Sequence, residues 1–178
     1  MDIDSEIIID KAHPEDAREI QHVFYDTWLA TYPNKEYGIT RDDIEFRHKE
    51  RLTDETIEKR KKVLAEMPDN ELFLTAKSSG KIAGVCYAIK REDKNQLQAI
   101  YILPEYQNKG IGKKLWLEAL SFFDPAKDTY VEVTTYNQNA IDFYKRLGFV
   151  DTGRRFSDER FRMKSGSIMP EMEMVLRA

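Results

Sequence analysis

Cysteine is almost missing from this chain: Cys86 stands alone among 178 residues. No disulfide can close within the chain, which fits a reducing compartment, so a cytoplasmic location is expected. Basic excess is missing as well. Lys and Arg number 28 against 32 Asp and Glu, for a net charge of -4, and the electrostatic footprint of a general nucleic-acid binder is lacking. No apolar run approaches the roughly 20 residues of a membrane span. The opening Met1-Asp2-Ile3-Asp4-Ser5-Glu6 lacks the basic-then-apolar order of a secretory leader. Histidine is scarce, and His13, His22 and His48 do not fall at metal-ligand spacing. The expected partners therefore include neither nucleic acid, nor membrane, nor metal. Repeats and low-complexity linkers are also lacking.

What is present is a globular composition on the polar side, 41% hydrophobic and 34% charged. The length suits one domain, taken as residues 1–178. An acidic protein weakly attracts cationic partners, which favours amines as ligands.

The pattern along the chain alternates strands and helices. Ile7 to Lys11 reads as a strand. His13-Pro14-Glu15-Asp16 opens a helix with Pro in the first turn and acids at the positive dipole end. Ala17, Ile20, Phe24, Trp28 and Thr31 recur at helical spacing until Tyr32-Pro33 stops it. Thr40-Arg41-Asp42-Asp43 is a capped entry to a polar helix, and Thr53 to Met67 reads as a solvated surface helix. Leu72–Ala76 and Ile82–Ile89 are strands joined at Ser78-Ser79-Gly80. Gln96–Leu103 is the next strand, and Gly110–Phe123 a helix with Ile111, Leu115, Ala119 and Phe122 on one face. Tyr130–Thr135 is β-branched and extended. Asn139–Leu147 is a helix closed at Gly148, and Phe149–Phe156 and Ile168–Leu176 are late strands. The fold class is α/β (α+β) in a single domain.

The chemistry sits between Tyr101 and Leu115. There the run Gln107-Asn108-Lys109-Gly110-Ile111-Gly112-Lys113-Lys114 joins a strand to a helix. Glycines let backbone N–H groups converge and a ligand approach, at a helix N-terminus whose dipole favours anions. A pyrophosphate would fit. Two common nucleotide patterns fail by counting. The P-loop needs Gly where Gln107 stands, and the dinucleotide fingerprint needs Gly where Leu115 stands.

Gln107-Asn108-Lys109-Gly110-Ile111-Gly112 resembles the Q/R-x-x-G-x-G/A signature of the GNAT family of N-acetyltransferases. A second block, Asn137-Gln138-Asn139-Ala140-Ile141-Asp142-Phe143-Tyr144-Lys145-Arg146-Leu147-Gly148-Phe149, is similar to that family's N-x-x-A-x-x-F-Y-x-x-x-G-F motif, in the family's order. The resemblance implies a mixed, mostly antiparallel sheet flanked by helices and splayed between two central parallel strands, ending near Leu103 and Thr135. It also implies acetyl-CoA as co-substrate. Backbone groups of Ile102 and Leu103 would hold the pantetheine arm. N–H groups of Gln107, Asn108, Lys109, Gly110, Ile111, Gly112 and Lys113 would hold the pyrophosphate. Asn137 and Tyr144 would lie near the thioester, with Tyr144 as the acid that protonates the leaving sulfur.

The expected reaction is direct acetyl transfer to a primary amine. A lysine-like amine has a pKa of about 10.4, so forming its neutral state at pH 7 costs about 4.6 kcal/mol. A base is needed, yet the strand Gln96–Leu103 carries no carboxylate. Glu71, Glu36, Asp42 and Asp43 are sources elsewhere, and none is assigned. Trp28 and Tyr32 are candidates for the acceptor pocket, where aromatics can hold an ammonium, with core packing as the plainer role for Trp28. Cys86 reads as a core residue. The leading acceptor is a small amine such as a polyamine. A peptide N-terminus or lysine is the alternative, and a non-catalytic acyl-CoA-binding regulatory module is the reading of another class. The strand Ile168–Leu176 is a candidate to pair across a homodimer.

Overall fold

A computed structural model describes residues 6–178. The acidic stretch read from the sequence at Met1 to Ser5 lies outside them. The order is β1 (Ile7–Lys11), a 3-10 turn at Pro14–Asp16, α1 (Ala17–Thr31), α2 (Arg41–Lys49), α3 (Asp54–Ala65), β2 (Glu71–Ser78), β3 (Lys81–Lys90), β4 (Asn95–Ile102), α4 (Ile111–Phe122), β5 (Thr129–Thr134), α5 (Gln138–Arg146), β6 (Val150–Arg162) and β7 (Ile168–Leu176).

The described strands form one sheet in the order β1-β2-β3-β4-β5-β7-β6. All neighbours are antiparallel except β4 and β5. That parallel pair is short. It holds only over Asn95↔Thr129, Gln96↔Tyr130 and Leu97↔Val131. Beyond Leu97 an extra residue, Gln98, bulges against β3, because Tyr87 faces Ala99 while Ala88 faces Leu97. A bulge bends its strand and sharpens the twist. From Gln98 to Ile102 β4 stays with β3, while β5 stays with β7, and a gap opens between them. The splay expected between two parallel strands is therefore present.

Each face of the sheet carries helices for the reason their spacing suggests. α4 buries Ile111, Leu115, Trp116 and Ala119, and α5 buries Ile141 and Tyr144. Both pack on Leu72, Leu74, Cys86, Leu97 and Val131. Burying one such large apolar side chain is worth about 1.5–3 kcal/mol. The opposite face packs Ala17, Ile20 and Val23 of α1 with Ile57 and Leu64 of α3 on Phe73 and Val85. α3 is thus not wholly solvated: its charge-rich sequence hides one stripe spaced seven residues apart, Ile57 and Leu64, that completes this core.

Two other sequence readings change. β6 runs on to Arg162 although Ser157-Asp158-Glu159-Arg160 has no apolar alternation. Backbone pairing with β7 carries it, through two register shifts, to Arg162↔Ile168. β7 cannot pair across a dimer. It lies between β5 and β6, so both rows of its backbone groups are already engaged, and the edges belong to β1 and β6.

α2 is locked by its own entry. Thr40 and Asp43 form a capping box. Asp43 also accepts from Ser165 N at 2.8 Å and Ser165 Oγ at 2.9 Å, in the turn between β6 and β7. Arg47 donates to the Arg160 carbonyl at 2.8 Å. The β6–β7 hairpin is thereby tied over α2, at the end of the sheet where the gap opens.

Candidate active site

The gap is floored by the turn between β4 and α4. Pro104–Tyr106 makes a 3-10 turn, and Asn108 (φ 61°) and Gly110 (φ 79°) then take left-handed backbone. Gly110 caps α4 in a conformation costly to a side-chain-bearing residue. The result is a run of six consecutive N–H groups, from Asn108 to Lys113, with no acceptor among the described residues; the next, Lys114 N, bonds to Gly110 O at 3.1 Å. Alternating left-handed and helical residues at a helix start make an anion-binding concavity. Gly112 has a different role. A Cβ there would lie 3.2 Å from the Phe143 ring, so the missing side chain lets α5 close on α4.

Two predicted contacts separate here. Leu103 N donates to Ala83 O at 2.9 Å, and Leu103 O accepts from Tyr106 N at 2.9 Å. Its N–H is therefore engaged and is not offered to a pantetheine arm, while its carbonyl keeps a second lone pair. Alternation along an antiparallel ladder then turns Ile102 the other way, toward the gap. Its carbonyl accepts from Gln107 Nε2 at 3.1 Å. Gln107 is thus a brace for the strand end, and its own N–H bonds to Pro104 O. Asn137 caps α5, its Oδ1 accepting from Ala140 N at 3.2 Å.

Tyrosines meet where the strands part. From the α5 side comes Tyr144, buried against Phe143 and Phe149, with Cys86 beside it. From the α1 side come Tyr32 and Tyr101, whose hydroxyl oxygens are 3.3 Å apart. Tyr136 donates to the Tyr32 carbonyl at 2.8 Å and stacks on Tyr37. Burial pushes the pKa values of Tyr32, Tyr101 and Tyr144 upward, and each feels a neighbouring phenol or carboxyl. All three stay protonated across the ordinary pH range. Burial also raises the Cys86 thiol, which suits a core residue.

A carboxylate stands in this cluster. Glu171, on β7, is 5% exposed and accepts from Thr134 Oγ1 at 2.9 Å. Burial pushes its pKa up to about 7, and it acts electrostatically on Tyr32, Tyr101 and Tyr136. Sequence reasoning did not name it. The carboxylates it did name are otherwise engaged or remote. Asp43 is held below its ordinary value by its hydrogen bonds to Thr40 and Ser165 despite burial. Glu71 accepts from the Tyr87 hydroxyl. Glu36 and Asp42 are exposed.

Trp28 is buried between Tyr32 at 4.8 Å and His48 at 5.2 Å, with the Arg47 guanidinium at 5.2 Å from its ring. Its face is already covered, so it walls the acceptor side rather than offering a bare surface to an ammonium. The described residues hold no group of three or more His, Cys, Asp or Glu side chains placed to bind a metal. A surface hollow lined by Asp93, Lys94, Lys127, Asp128 and Tyr130 lies at the closed end of the β4–β5 pair, away from these tyrosines.

Residues 35–168 match the family model described as an acetyltransferase (GNAT) domain. The chain belongs to the GNAT acetyltransferase family. Among solved structures, PaiA N-acetyltransferase from Thermoplasma acidophilum, in complex with coenzyme A, superposes with a TM-score of 0.71. It covers 97% of this chain and 99% of its own at 24% identity, a likeness of fold. Streptothricin acetyltransferase from Streptomyces lavendulae is 32% identical over 93 residues, 49% of each chain. Peptidyl-lysine N-acetyltransferase YjaB from Salmonella typhimurium is 36% identical over 63 residues, 35% of this chain and 41% of its own. The chain thus spans half or less of the length of these curated relatives. No helix among the described residues is long and apolar enough to cross a membrane.

Within this GNAT chain the gap, the free N–H run and Tyr144 fall together. The central strand β4 carries no carboxylate, and a buried Glu stands across the gap on β7.

Proposed function

We propose that residues 1–178 form one catalytic domain that binds acetyl-CoA along the gap between β4 and β5 and moves its acetyl group to the primary amine of a small acceptor. The observation that carries this reading is the run of six acceptor-free N–H groups beneath the gap, with Tyr144 beside it. A pyrophosphate is the anion such a run suits. Lys109, Lys113 and Lys114 add positive charge around it. Ile102 turns its N–H toward the gap, where a pantetheine amide can accept from it.

Acetyl-CoA, when bound, supplies the activated acetyl group. The chain supplies the proton management. Glu171, poised near neutrality, takes the amine's proton across the phenols of Tyr32 and Tyr101. A base titrating near the working pH is both available and strong enough to act. Tyr144, its pKa raised by burial, stays protonated and is available to a developing thiolate. General acid catalysis of this kind is worth about 10²–10⁴ in rate.

A small acceptor is favoured because α2 and the tied β6–β7 hairpin enclose the tyrosine cluster from the acceptor side. A peptide amine is the second reading, supported by the peptidyl-lysine relative. Calorimetry with acetyl-CoA and with desulfo-CoA tests the binding, and thiol release with a panel of amines and short peptides tests transfer. Absence of acetyl-CoA binding would overturn the reading. Binding without thiol release for any amine would replace it with a regulatory module.

A further inference from the structure

Three arginines crowd the acceptor side of the tyrosine cluster without a carboxylate among them. Arg47 and Arg51 lie one helical turn apart, at the end of α2 and in the 3-10 turn Glu50–Leu52 that follows it, and Arg60 lies on α3. No ion pair among the described residues involves any of them. Arg51 is close enough to act electrostatically on Arg47, His48 and Arg60. Among the described residues its guanidinium makes no hydrogen bond, and only its carbonyl is used, by Gln21. Arg60 lies over the Phe73 ring at 5.9 Å. Arg47 is wedged between Trp28 and Phe161, and its buried Nε has no partner.

Other polar atoms in the same wall are unmatched. Both ring nitrogens of His48 are buried without a partner, and so is Trp28 Nε1, which is directed at the Tyr101 hydroxyl without forming a good hydrogen bond. Burial brings His48 down to about 4, so it stays neutral at pH 7. The arginines themselves face Tyr101 and Tyr87 on the sheet. Glu71 is taken by Tyr87, and Asp54 by Arg18.

Like charges gathered in a half-buried wall repel one another and have lost part of their hydration. In a chain with net charge -4, the carboxylates to neutralise them exist but are placed elsewhere. Guanidinium forks match the planar oxygens of an oxyanion, and such charge-assisted bonds are the strong ones. An acceptor that brings its own oxyanion would relieve the repulsion and give the guanidinium groups their hydrogen-bond partners together.

We propose that the acceptor is a small amine that also carries a carboxylate or phosphate group, held by Arg51 and Arg60 with Arg47 behind them, while its amine reaches the tyrosines and Glu171. This rests on the acetyltransferase reading and deepens it. It replaces the polyamine suggested by net charge, because a polycation would be repelled by these arginines. Charge over the whole chain and charge at the acceptor wall have opposite signs.

The test compares matched amines by thiol release with acetyl-CoA: β-alanine against propylamine, phosphoethanolamine against ethanolamine, glutamate against its diamide, and spermidine. The two oxyanion arms distinguish carboxylate from phosphate. The oxyanion-bearing member of at least one pair should exceed its neutral partner in kcat/KM by on the order of tenfold to a thousandfold. Arg51→Gln should collapse that ratio through KM, and Arg51→Lys, keeping the charge but not the fork, should retain part of it. Acetyl-CoA affinity, measured by calorimetry on the same samples, should stay at the wild-type value. Preference for spermidine or for the neutral amines, or a ratio untouched by Arg51→Gln and Arg60→Gln in folded protein, overturns the proposal. In that event intact acetyl-CoA binding separates this failure from failure of the acetyltransferase reading. Should no amine turn over, thermal shift with CoA present still decides: stabilisation by phosphoethanolamine but not ethanolamine, lost in Arg51→Gln, supports an oxyanion site, and equal shifts sink it.

Discussion

Thr134 and Glu171 face each other across the β5–β7 ladder, and Thr134 Oγ1 donates to Glu171 Oε1 at 2.9 Å in a position closed to solvent. One hydroxyl cannot offset the desolvation of a carboxylate, so burial raises Glu171 to about 7. Its neighbour on the strand shows the contrast. Glu173 is half-buried and paired with Arg154 at 2.9 Å. Glu171 is the carboxylate left to take a proton.

Glu171→Gln therefore has two expected effects of opposite sign. Wild-type kcat/KM should rise with pH through an inflection near 7, and the variant should lose this limb and about 10²–10⁴ of the rate. Stability should move the other way. Glu171 titrates higher in the folded than in the unfolded chain, whose carboxyl lies near 4.3. The protonated form is favoured on folding, and that advantage is complete below about 4.3 and lost as pH rises through 7. The glutamine variant should be more stable than wild type by on the order of 3–4 kcal/mol at pH 8 and nearly equal at pH 4. Denaturant melts at the two pH values check this; equal differences at both would remove the strain.

Tyr144→Phe should lower the turnover number while leaving acetyl-CoA affinity nearly intact. The ring keeps its contacts with Phe143 and Phe149, and only the hydroxyl group is removed. Stopped-flow or steady-state turnover set beside calorimetry tests it. An unchanged turnover number would assign the phenol to packing alone.

The two glycines of the turn should fail differently. Gly110→Ala meets open space but a left-handed backbone, so it should destabilise α4 by roughly 1 kcal/mol. Gly112→Leu drives a side chain into the Phe143 ring. It should part α5 from α4 and weaken acetyl-CoA binding. Calorimetry at wild-type affinity for the Gly112 variant would sink the assignment of this turn to the pyrophosphate.

Asp43→Ala should loosen the acceptor side without touching the gap. It removes four hydrogen bonds, two to Thr40 and two to Ser165. A loss of about 1–3 kcal/mol is expected at pH 7. The carboxyl is held below its ordinary value, so this stabilisation is present above about 3.9 and fades as pH falls through its lower folded value. The gap in melting temperature between variant and wild type should narrow as pH falls below the ordinary aspartate value.

The pyrophosphate turn was legible because its physics is local. Glycine spacing, a helix start and a following amphipathic stripe lie within one short segment, and Asn137 to Phe149 repeats that logic. Helix α2 was legible from Thr40 and Asp43 three residues apart. Glu171 was not, since its strand Met169-Pro170-Glu171-Met172-Glu173-Met174 offers two equivalent carboxylates. Its pairing with Thr134 spans 37 residues of chain. The arginine wall was hidden too, because a charge-rich helix looks solvated until the turn after α2 is set beside α3.

Local sequence alone established the donor side: where the backbone turns, which N–H groups face out, and which helix carries Tyr144. Short-range sterics and helix-end electrostatics decide these before any long-range contact forms. The acceptor side arose only on folding. Burial raises Glu171 and crowding unbalances Arg51, and both depend on which distant segments exclude water from them. A residue's charge is written in the chain, but its cost is set by what surrounds it.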